Sequence, residues 1–268
     1  MLRLCVAGAT GRMGSTLIGE AVDRGFQIVG AVVAPGEPSI GKTLEEAGVC
    51  RSSVRIVGPD RLREAARPAD IYMTFTTPGA EAENLPVVAG LGKRIVMGTT
   101  GHTGEQMAKL REAVMGRVPA VFAPNFALGV NILFRLAKAC GALPADYDFS
   151  IVEAHHTGKA DAPSGTAKKL AEIVSGERGY SRNVHGREGV SPRKPGELEI
   201  MALRLGGVAG IHDLVIAGPH EMIRIEHTAF SRRVFAQGAL YAAEWLSRQR
   251  EPRIYSMEDV LGLSLIHI

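Results

Sequence analysis

The apolar positions along the chain follow two rhythms. Short apolar runs end at glycine or polar turns, and between them apolar residues recur at helical spacing. Leu2–Ala7 (LRLCVA) is one such run, closed by Gly8. Over Met13–Arg24, Leu17, Ile18, Ala21 and Val22 share a helical face, and Gly25 stands where a C-terminal cap would. Phe26–Val33 reads as a second buried strand. The alternation continues with strand Ile71–Phe75, a helix near Ala80–Ala89, strand Arg94–Met97, helix Thr103–Val114 and strand Ala120–Phe122. Strands alternating with helices predict a right-handed parallel βαβ sheet.

Beyond Phe126 the pattern changes. A helix over Val130–Cys140 leads to strand Phe149–Glu153, a loop rich in Gly and His, and helix Thr166–Val174. Tyr180–Pro195 is polar and reads as a loop. Three strand-like runs follow, Glu197–Leu205, Ile211–Ile216 and Met222–His227, joined by short glycine-containing segments; they predict an antiparallel or mixed sheet. The last helix, Val234–Trp245, carries Ala236, Gly238, Ala239, Ala242 and Ala243, small enough for close packing.

Composition narrows the class. With 46% hydrophobic and 22% charged residues in 268, the chain can build a core and is not a disordered polyampholyte. Three cysteines, Cys5, Cys50 and Cys140, are too few and too scattered for a disulfide scaffold and fit a reducing compartment. No apolar run is long enough for a membrane span, and the N-terminus has no secretory pattern, so a cytoplasmic protein without a membrane partner is expected. A net charge of +3 without a Lys/Arg block gives no reason to expect nucleic acid. Glycine is the outlier: 32 residues, about 12% against a usual ~7%.

Part of that excess sits in Gly8-Ala9-Thr10-Gly11-Arg12-Met13-Gly14, between the first strand and the first helix. Gly8 suits a tight turn, Gly11 lets the backbone approach a pyrophosphate at the helix N-terminus, and Gly14 lets helix pack on strand. Position makes this motif a dinucleotide signal rather than an ordinary turn. The usual ribose-binding acid is missing at Val33-Ala34, and Glu37 comes late. Arg12 is open to two readings, a surface arginine or a partner for a 2′-phosphate, the second of which leans toward NADPH. Gly98-Thr99-Thr100-Gly101 and Ala123-Pro124-Asn125-Phe126 follow later strands, where ligands of parallel sheets bind, and Phe75-Thr76-Thr77-Pro78 ends a third.

The densest chemistry lies in Glu153–Thr166 (EAHHTGKADAPSGT). His155 and His156 can exchange protons near neutral pH. Lys159 supplies a cation, Ser164 an N-cap, and the Gly165 and Thr166 amides a receptor for a carboxylate. Together they suit a small dicarboxylate that must be protonated. The histidine pair has no third ligand at zinc-like spacing, so no metal is expected.

Taken in order, GATGRMG (8–14), GTTG (98–101), APNF (123–126), EAHHTGKADAPSGTA (153–167) and SRRVFAQGA (231–239) resemble the 4-hydroxy-tetrahydrodipicolinate (dihydrodipicolinate) reductase family. The resemblance implies an α/β fold: a Rossmann-like dinucleotide-binding domain over 1–126, with 234–268 returning to it, and an α+β mixed-sheet substrate and oligomerisation domain over 127–233. It implies reduction of a cyclic dicarboxylate on the diaminopimelate route to lysine with NADPH or NADH, by a homotetramer. It casts His155 as general acid/base and Lys159 as proton donor near the ring nitrogen. His156, Ser164, Gly165 and Thr166 become substrate ligands; Gly8, Ala9, Thr10, Gly11, Arg12, Met13, Gly98, Thr99, Thr100, Ala123, Pro124, Asn125 and Phe126 become cofactor contacts. Three features depart from the family pattern: the missing acid, Thr77 where some relatives carry a basic residue, and the apolar tail after Gly262 (LSLIHI). Two other readings share parts of the pattern: a different two-domain NAD(P)-dependent reductase of amino or keto acids, and a non-catalytic nucleotide sensor. A sensor needs the glycine loop but not the proton donors.

Overall fold

The computed structural model describes residues 1–263; residues 264–268, and with them most of the apolar tail and the end of the predicted 234–268 return, lie outside the described residues. The chain forms two compact units, one of residues 1–127 with the segment from Arg233 onward, the other of Leu128–Arg232.

The first unit begins with strand β1 (Arg3–Ala7), helix α1 (Arg12–Asp23) and strand β2 (Gln27–Val32). Then come β3 (Ile56–Val57), a 3₁₀ turn at Pro59–Arg61, α2 (Leu62–Ala66), β4 (Ile71–Thr74), α3 (Pro78–Gly90), β5 (Arg94–Met97), α4 (Gly104–Val114) and β6 (Ala120–Phe122). The second unit holds α5 (Leu128–Cys140), β7 (Asp148–His155), α6 (Gly165–Arg178), β8 (Arg182–Val184), β9 (Glu197–Arg204), β10 (Gly210–Ala217) and β11 (Met222–Ala229). The chain re-enters the first unit with α7 (Arg233–Leu246), β12 (Ile254–Tyr255) and α8 (Met257–Val260).

The first sheet is parallel, in the order β12-β6-β5-β4-β1-β2-β3. Its strands are buried on both faces, as a sheet covered by helices requires: Leu4, Val6, Ile71, Met73, Ile95 and Val121 have no exposed surface. Strand order reverses at β1, with β2 and β3 on one side and β4, β5 and β6 on the other. That reversal makes the crevice at the carboxyl end of β1 the natural ligand site. The returning helix α7 packs on α1, and its small residues Ala236, Gly238 and Ala239 are buried. The nearly buried Glu20 of α1 accepts hydrogen bonds from Arg233 and from Gln237 (3.0 Å).

The second sheet is mixed, as the sequence predicts, in the order β11-β10-β7-β9-β8. β7 and β9 run parallel, as do β8 and β9, while β10 is antiparallel to both β7 and β11. Helices α5 and α6 pack together beside it. Two expectations are corrected. The polar stretch Tyr180–Pro195 contains strand β8, whose Arg182 and Asn183 are exposed at a sheet edge. Strand β7 runs on to His155 instead of ending at Glu153, with consequences for the site.

Gly14 shows how tight the first βα turn is: a Cβ there would lie 2.0 Å from the Gly8 carbonyl oxygen, whereas one on Gly19, a turn and a half further along α1, would meet nothing within 4 Å. Gly14→Ala is therefore expected to lose about 1–3 kcal/mol or more through overpacking, and Gly19→Ala to gain up to about 1 kcal/mol. Urea unfolding of the two variants checks both signs.

Candidate functional site

Each unit carries one cluster of the predicted residues. In the first, Gly8 adopts φ +73°, a left-handed conformation that glycine enters without strain. It leaves β1 with its own amide and that of Ala9 donating to the Val32 carbonyl of β2 (2.9 and 3.2 Å). Gly11 is the N-cap of α1 and, having no side chain, caps nothing. The first-turn amides of Arg12, Met13 and Gly14 thus face outward at the positive end of the helix dipole, as an anion needs. Arg12 is exposed. Thr10 does something the sequence hid. Its hydroxyl donates to Glu37, which also accepts from Ser39 Oγ (2.9 Å). The acid that comes late in sequence is folded back onto the glycine loop.

Phe75 ties the other predicted cofactor turns to this loop. A Cβ on Gly8 would fall 2.7 Å from the Phe75 carbonyl oxygen, and one on Gly98 would strike the Phe75 ring at 2.0 Å. The same ring packs edge-on against Phe126 at 5.8 Å. Gly98 N donates to the Thr74 carbonyl (2.9 Å) and Ala123 N to the Met97 carbonyl (3.1 Å). Asn125 Oδ1 accepts from Ala127 N (2.9 Å), closing the turn in which Pro124 is exposed. Thr99 is buried and Thr100 exposed. Gly8–Met13, Gly98–Thr100 and Ala123–Phe126 thus surround the carboxyl ends of β1, β5 and β6. Thr77 is the N-cap of α3, its hydroxyl accepting from Ala80 N (3.4 Å). An uncapped helix start, a glycine turn without room for side chains and apolar flanks together fit a dinucleotide.

In the second unit the extension of β7 puts Glu153 and His155 on one face, two residues apart. Register brings two more side chains to that face: Arg204 opposite His155 on β9, and His212 opposite Glu153 on β10. Glu153 is completely buried and fully used. Its Oε2 meets His155 Nδ1 at 2.5 Å and Arg204 Nη1 at 2.9 Å; its Oε1 accepts from Arg204 Nη2 (3.0 Å) and Ser164 N (2.9 Å). Burial works to raise its pKa, but the Arg204 fork, His155 and the Ser164 amide together hold it below the usual carboxylate range. Burial lowers the His155 pKa. The carboxylate beside it pulls the other way, but Arg204 has already balanced that charge, so burial prevails.

With Nδ1 engaged by Glu153, Nε2 is the ring nitrogen of His155 that this pairing leaves open. It lies over Gly210, where a Cβ would come within 3.2 Å. His212 packs edge-on against His155 (5.1 Å between rings) and shares a hydrogen bond with Ser164 Oγ (3.1 Å). Ser164 is the N-cap of α6, its Oγ also accepting from Ala167 N (3.2 Å), so Gly165 and Thr166 open the helix beside the histidines. Lys159 Nζ donates to Asp161 (2.6 Å), and His156 Nε2 lies 3.5 Å from Arg232 Nη2. Sequence reasoning gave no role to Glu153, Arg204 or His212. Only the Glu153-x-His155 alternation signals a shared strand face, and the strand ending assigned at Glu153 concealed it.

The comparisons with known proteins fit this geometry. The family model described as "Dihydrodipicolinate reductase, N-terminus" matches residues 2–126, and "Dihydrodipicolinate reductase, C-terminus" matches 129–261. The chain belongs to the dihydrodipicolinate reductase family. Proteins named 4-hydroxy-tetrahydrodipicolinate reductase from Methanosarcina barkeri (strain Fusaro) and Rubrobacter xylanophilus are 42% and 44% identical, each over 98% of this chain and 100% of the relative. The solved dihydrodipicolinate reductase of Paenisporosarcina sp. TG-14, bound to dipicolinate, superposes with a TM-score of 0.75 at 23% identity, covering 96% of this chain and 97% of that one. A Mycobacterium smegmatis amine dehydrogenase shares the fold with a TM-score of 0.65 at 13% identity, over 95% of this chain and 94% of that one. The fold alone therefore serves more than one reaction, and family membership decides among them. As a dihydrodipicolinate reductase, the chain is an NAD(P)H-dependent oxidoreductase.

The buried histidine gives this reductase a pH signature. Burial, reinforced by the nearby His155, pushes His212 down to about 4 from 6.5. Between these values the unfolded chain takes up a proton that the folded protein refuses. The contribution is complete above about pH 6.5 and is lost as pH falls toward 4, about 3 kcal/mol in all. His212→Gln is expected to flatten the fall in unfolding free energy between pH 6.5 and 4.5; equal slopes in variant and wild type would refute the assignment.

Proposed function

We propose that the chain reduces 4-hydroxy-tetrahydrodipicolinate on the diaminopimelate route to lysine, with His155 as its acid/base and Lys159 as its second proton donor. The observation that carries this reading is the Glu153–His155 pair at 2.5 Å, which commits Nδ1 and presents Nε2 for proton transfer beside the N-terminus of α6. The bound dinucleotide supplies the hydride through its reduced nicotinamide. Gly8, Ala9, Thr10, Gly11, Arg12 and Met13 hold its diphosphate at the amides of α1, and the Gly98–Thr100 and Ala123–Phe126 turns flank its nicotinamide half. The Gly165 and Thr166 turn and His156 bind the carboxylates of the substrate. Loss of the 4-hydroxyl as water leaves the conjugated ring that accepts the hydride; Lys159, leaving Asp161, protonates the nitrogen side of the ring, and His155 Nε2 serves the proton exchange that charge build-up demands. A pKa below the ordinary histidine value favours the neutral imidazole, whose Nε2 must take up a proton before it can pass one on.

Glu37 against Thr10 favours NADH: a carboxylate beside the glycine loop on the adenosine side repels a 2′-phosphate. The fit to a cytoplasmic pathway enzyme rests on its substrate and on three free cysteines. Among the described residues no helix is long and apolar enough to cross a membrane. A homotetramer is supported by the apolar side chains that the second unit leaves exposed, among them Leu203, Leu205, Met222, Ile223 and Phe230.

The deciding assay follows the loss of NADH or NADPH absorbance, with substrate made in situ by the preceding synthase. Turnover is expected with both, with higher kcat/KM for NADH, and Lys159→Ala should lower kcat by about 10²–10⁴-fold while NADH binding persists. No oxidation with either dinucleotide would defeat the activity, and an unchanged rate in Lys159→Ala would defeat its role. Analytical ultracentrifugation should find four chains per particle; a monomer at assay concentration would remove the tetramer.

A further inference from the structure

The loops after β4 and β5 are joined by one acid. Glu81, in the first turn of α3, has no exposed surface. Its Oε1 accepts from three threonine hydroxyls, each at 2.6 Å: Thr74 at the end of β4, Thr76 in the following loop, and Thr99 in the turn after β5. Thr99 Oγ1 in turn accepts from Thr76 N (2.9 Å). The other carboxyl oxygen, Oε2, lies buried without a hydrogen-bond partner among the described residues, as does the hydroxyl of Tyr72 on β4.

This is an expensive way to pack a loop. A buried carboxyl group with one oxygen unmatched carries a desolvation penalty, and an apolar side chain would fill the same space without it. What a carboxylate oxygen adds is direction: short bonds to an acidic acceptor fix three hydroxyl groups and the backbone that bears them. The segments so fixed lie on one side of the sheet's reversal point. The glycine loop and Glu37 sit at β1 and β2, and the Glu81 cluster sits at β4 and β5. In a doubly wound sheet those two sides take the two mononucleotide halves of one dinucleotide.

We propose that Glu81 is a positioning residue for the nicotinamide half of the dinucleotide, holding the Thr76 and Thr99 turns in place without touching the ligand. The inference rests on the cofactor site described under Proposed function. Glu81 acts on one end of the ligand only. Its removal frees the Thr76 and Thr99 hydroxyls, while the glycine loop, though it rests on the Phe75 carbonyl, keeps its own anchor to β2 through Val32 and with it the grip on the diphosphate.

The test compares two ligands that differ by the nicotinamide. Binding of NADH and of ADP-ribose to the intact enzyme is measured by titration calorimetry for wild type, Glu81→Gln, Glu81→Ala and Thr76→Val. In Glu81→Ala, Kd for NADH is expected to rise about tenfold or more and Kd for ADP-ribose to change less than about twofold. Glu81→Gln, which keeps a carbonyl oxygen to accept the hydroxyls, should restore most of the NADH affinity. Thr76→Val, a milder change that preserves the fold should Glu81→Ala unfold, should weaken NADH alone by about threefold to tenfold. Equal weakening of both ligands would mean a general structural role and overturn the proposal, as would unchanged NADH binding in the variants. Failure of wild type to bind NADH while it binds ADP-ribose would place the fault in the assignment of these turns to nicotinamide. Failure to bind either ligand would remove the cofactor site itself.

Discussion

The second unit is organised around one buried carboxylate. Glu153 has no contact with water, and a charge in that position is tolerable only when every lone pair is matched. The matching groups come from three places: an arginine fork from β9, a neighbouring imidazole on β7 and the amide that begins α6. These are also the elements that carry the candidate site. Withdrawing Arg204 would leave Glu153 underpaired, release the tautomer of His155 and loosen the helix start at Ser164 in one stroke. The site therefore moves as a unit, and its residues cannot be ranked as separate contributions.

The first unit solves a different problem with a similar device. A dinucleotide must lie close to backbone, and side chains obstruct that approach. Glycine answers it at Gly8, Gly14 and Gly98, where a Cβ would run into a carbonyl or the Phe75 ring. Loops so bare have little to hold them, and the constraint is supplied from beneath: Phe75 reaches Gly8, Gly98 and Phe126, and Glu81 gathers the threonines. The glycine content that marks the composition is thus inseparable from a few large or charged neighbours that do the holding.

How much of this was legible in the sequence depends on the range of the interaction. Elements with a clear period emerged within a residue or two: Arg94–Met97 and Ala120–Phe122 fall where the apolar pattern puts them. Two-residue strands such as β3 and β12 have no period to read, and β8 is polar because it lies at an edge. The glycine and histidine segments were visible as motifs since their residues are contiguous. Arg204 and His212 were not, because register alone carries them to Glu153 from strands 51 and 59 residues further along the chain. The loop reading of His155 hid the pairing with Glu153, since polar residues at the end of a strand mimic a turn. Glu37 comes late in the sequence; a bend through Pro35 and Gly36 returns it to Thr10, which spacing along the chain does not disclose.

The return of the chain after Arg232 has a consequence for how the protein comes into being. The parallel sheet ends in β12, paired with β6, and α1 is covered by α7; both are made after the second unit. On the ribosome the first unit must wait, with the edge of β6 unpaired and the side of α1 that meets α7 uncovered, while the whole second unit is synthesised. That second unit, Leu128–Arg232, is contiguous and has nothing to wait for. Synthesis in order therefore yields folding out of order: the inserted unit can close first, and the nucleotide-binding unit that opens the sequence is the last to be finished.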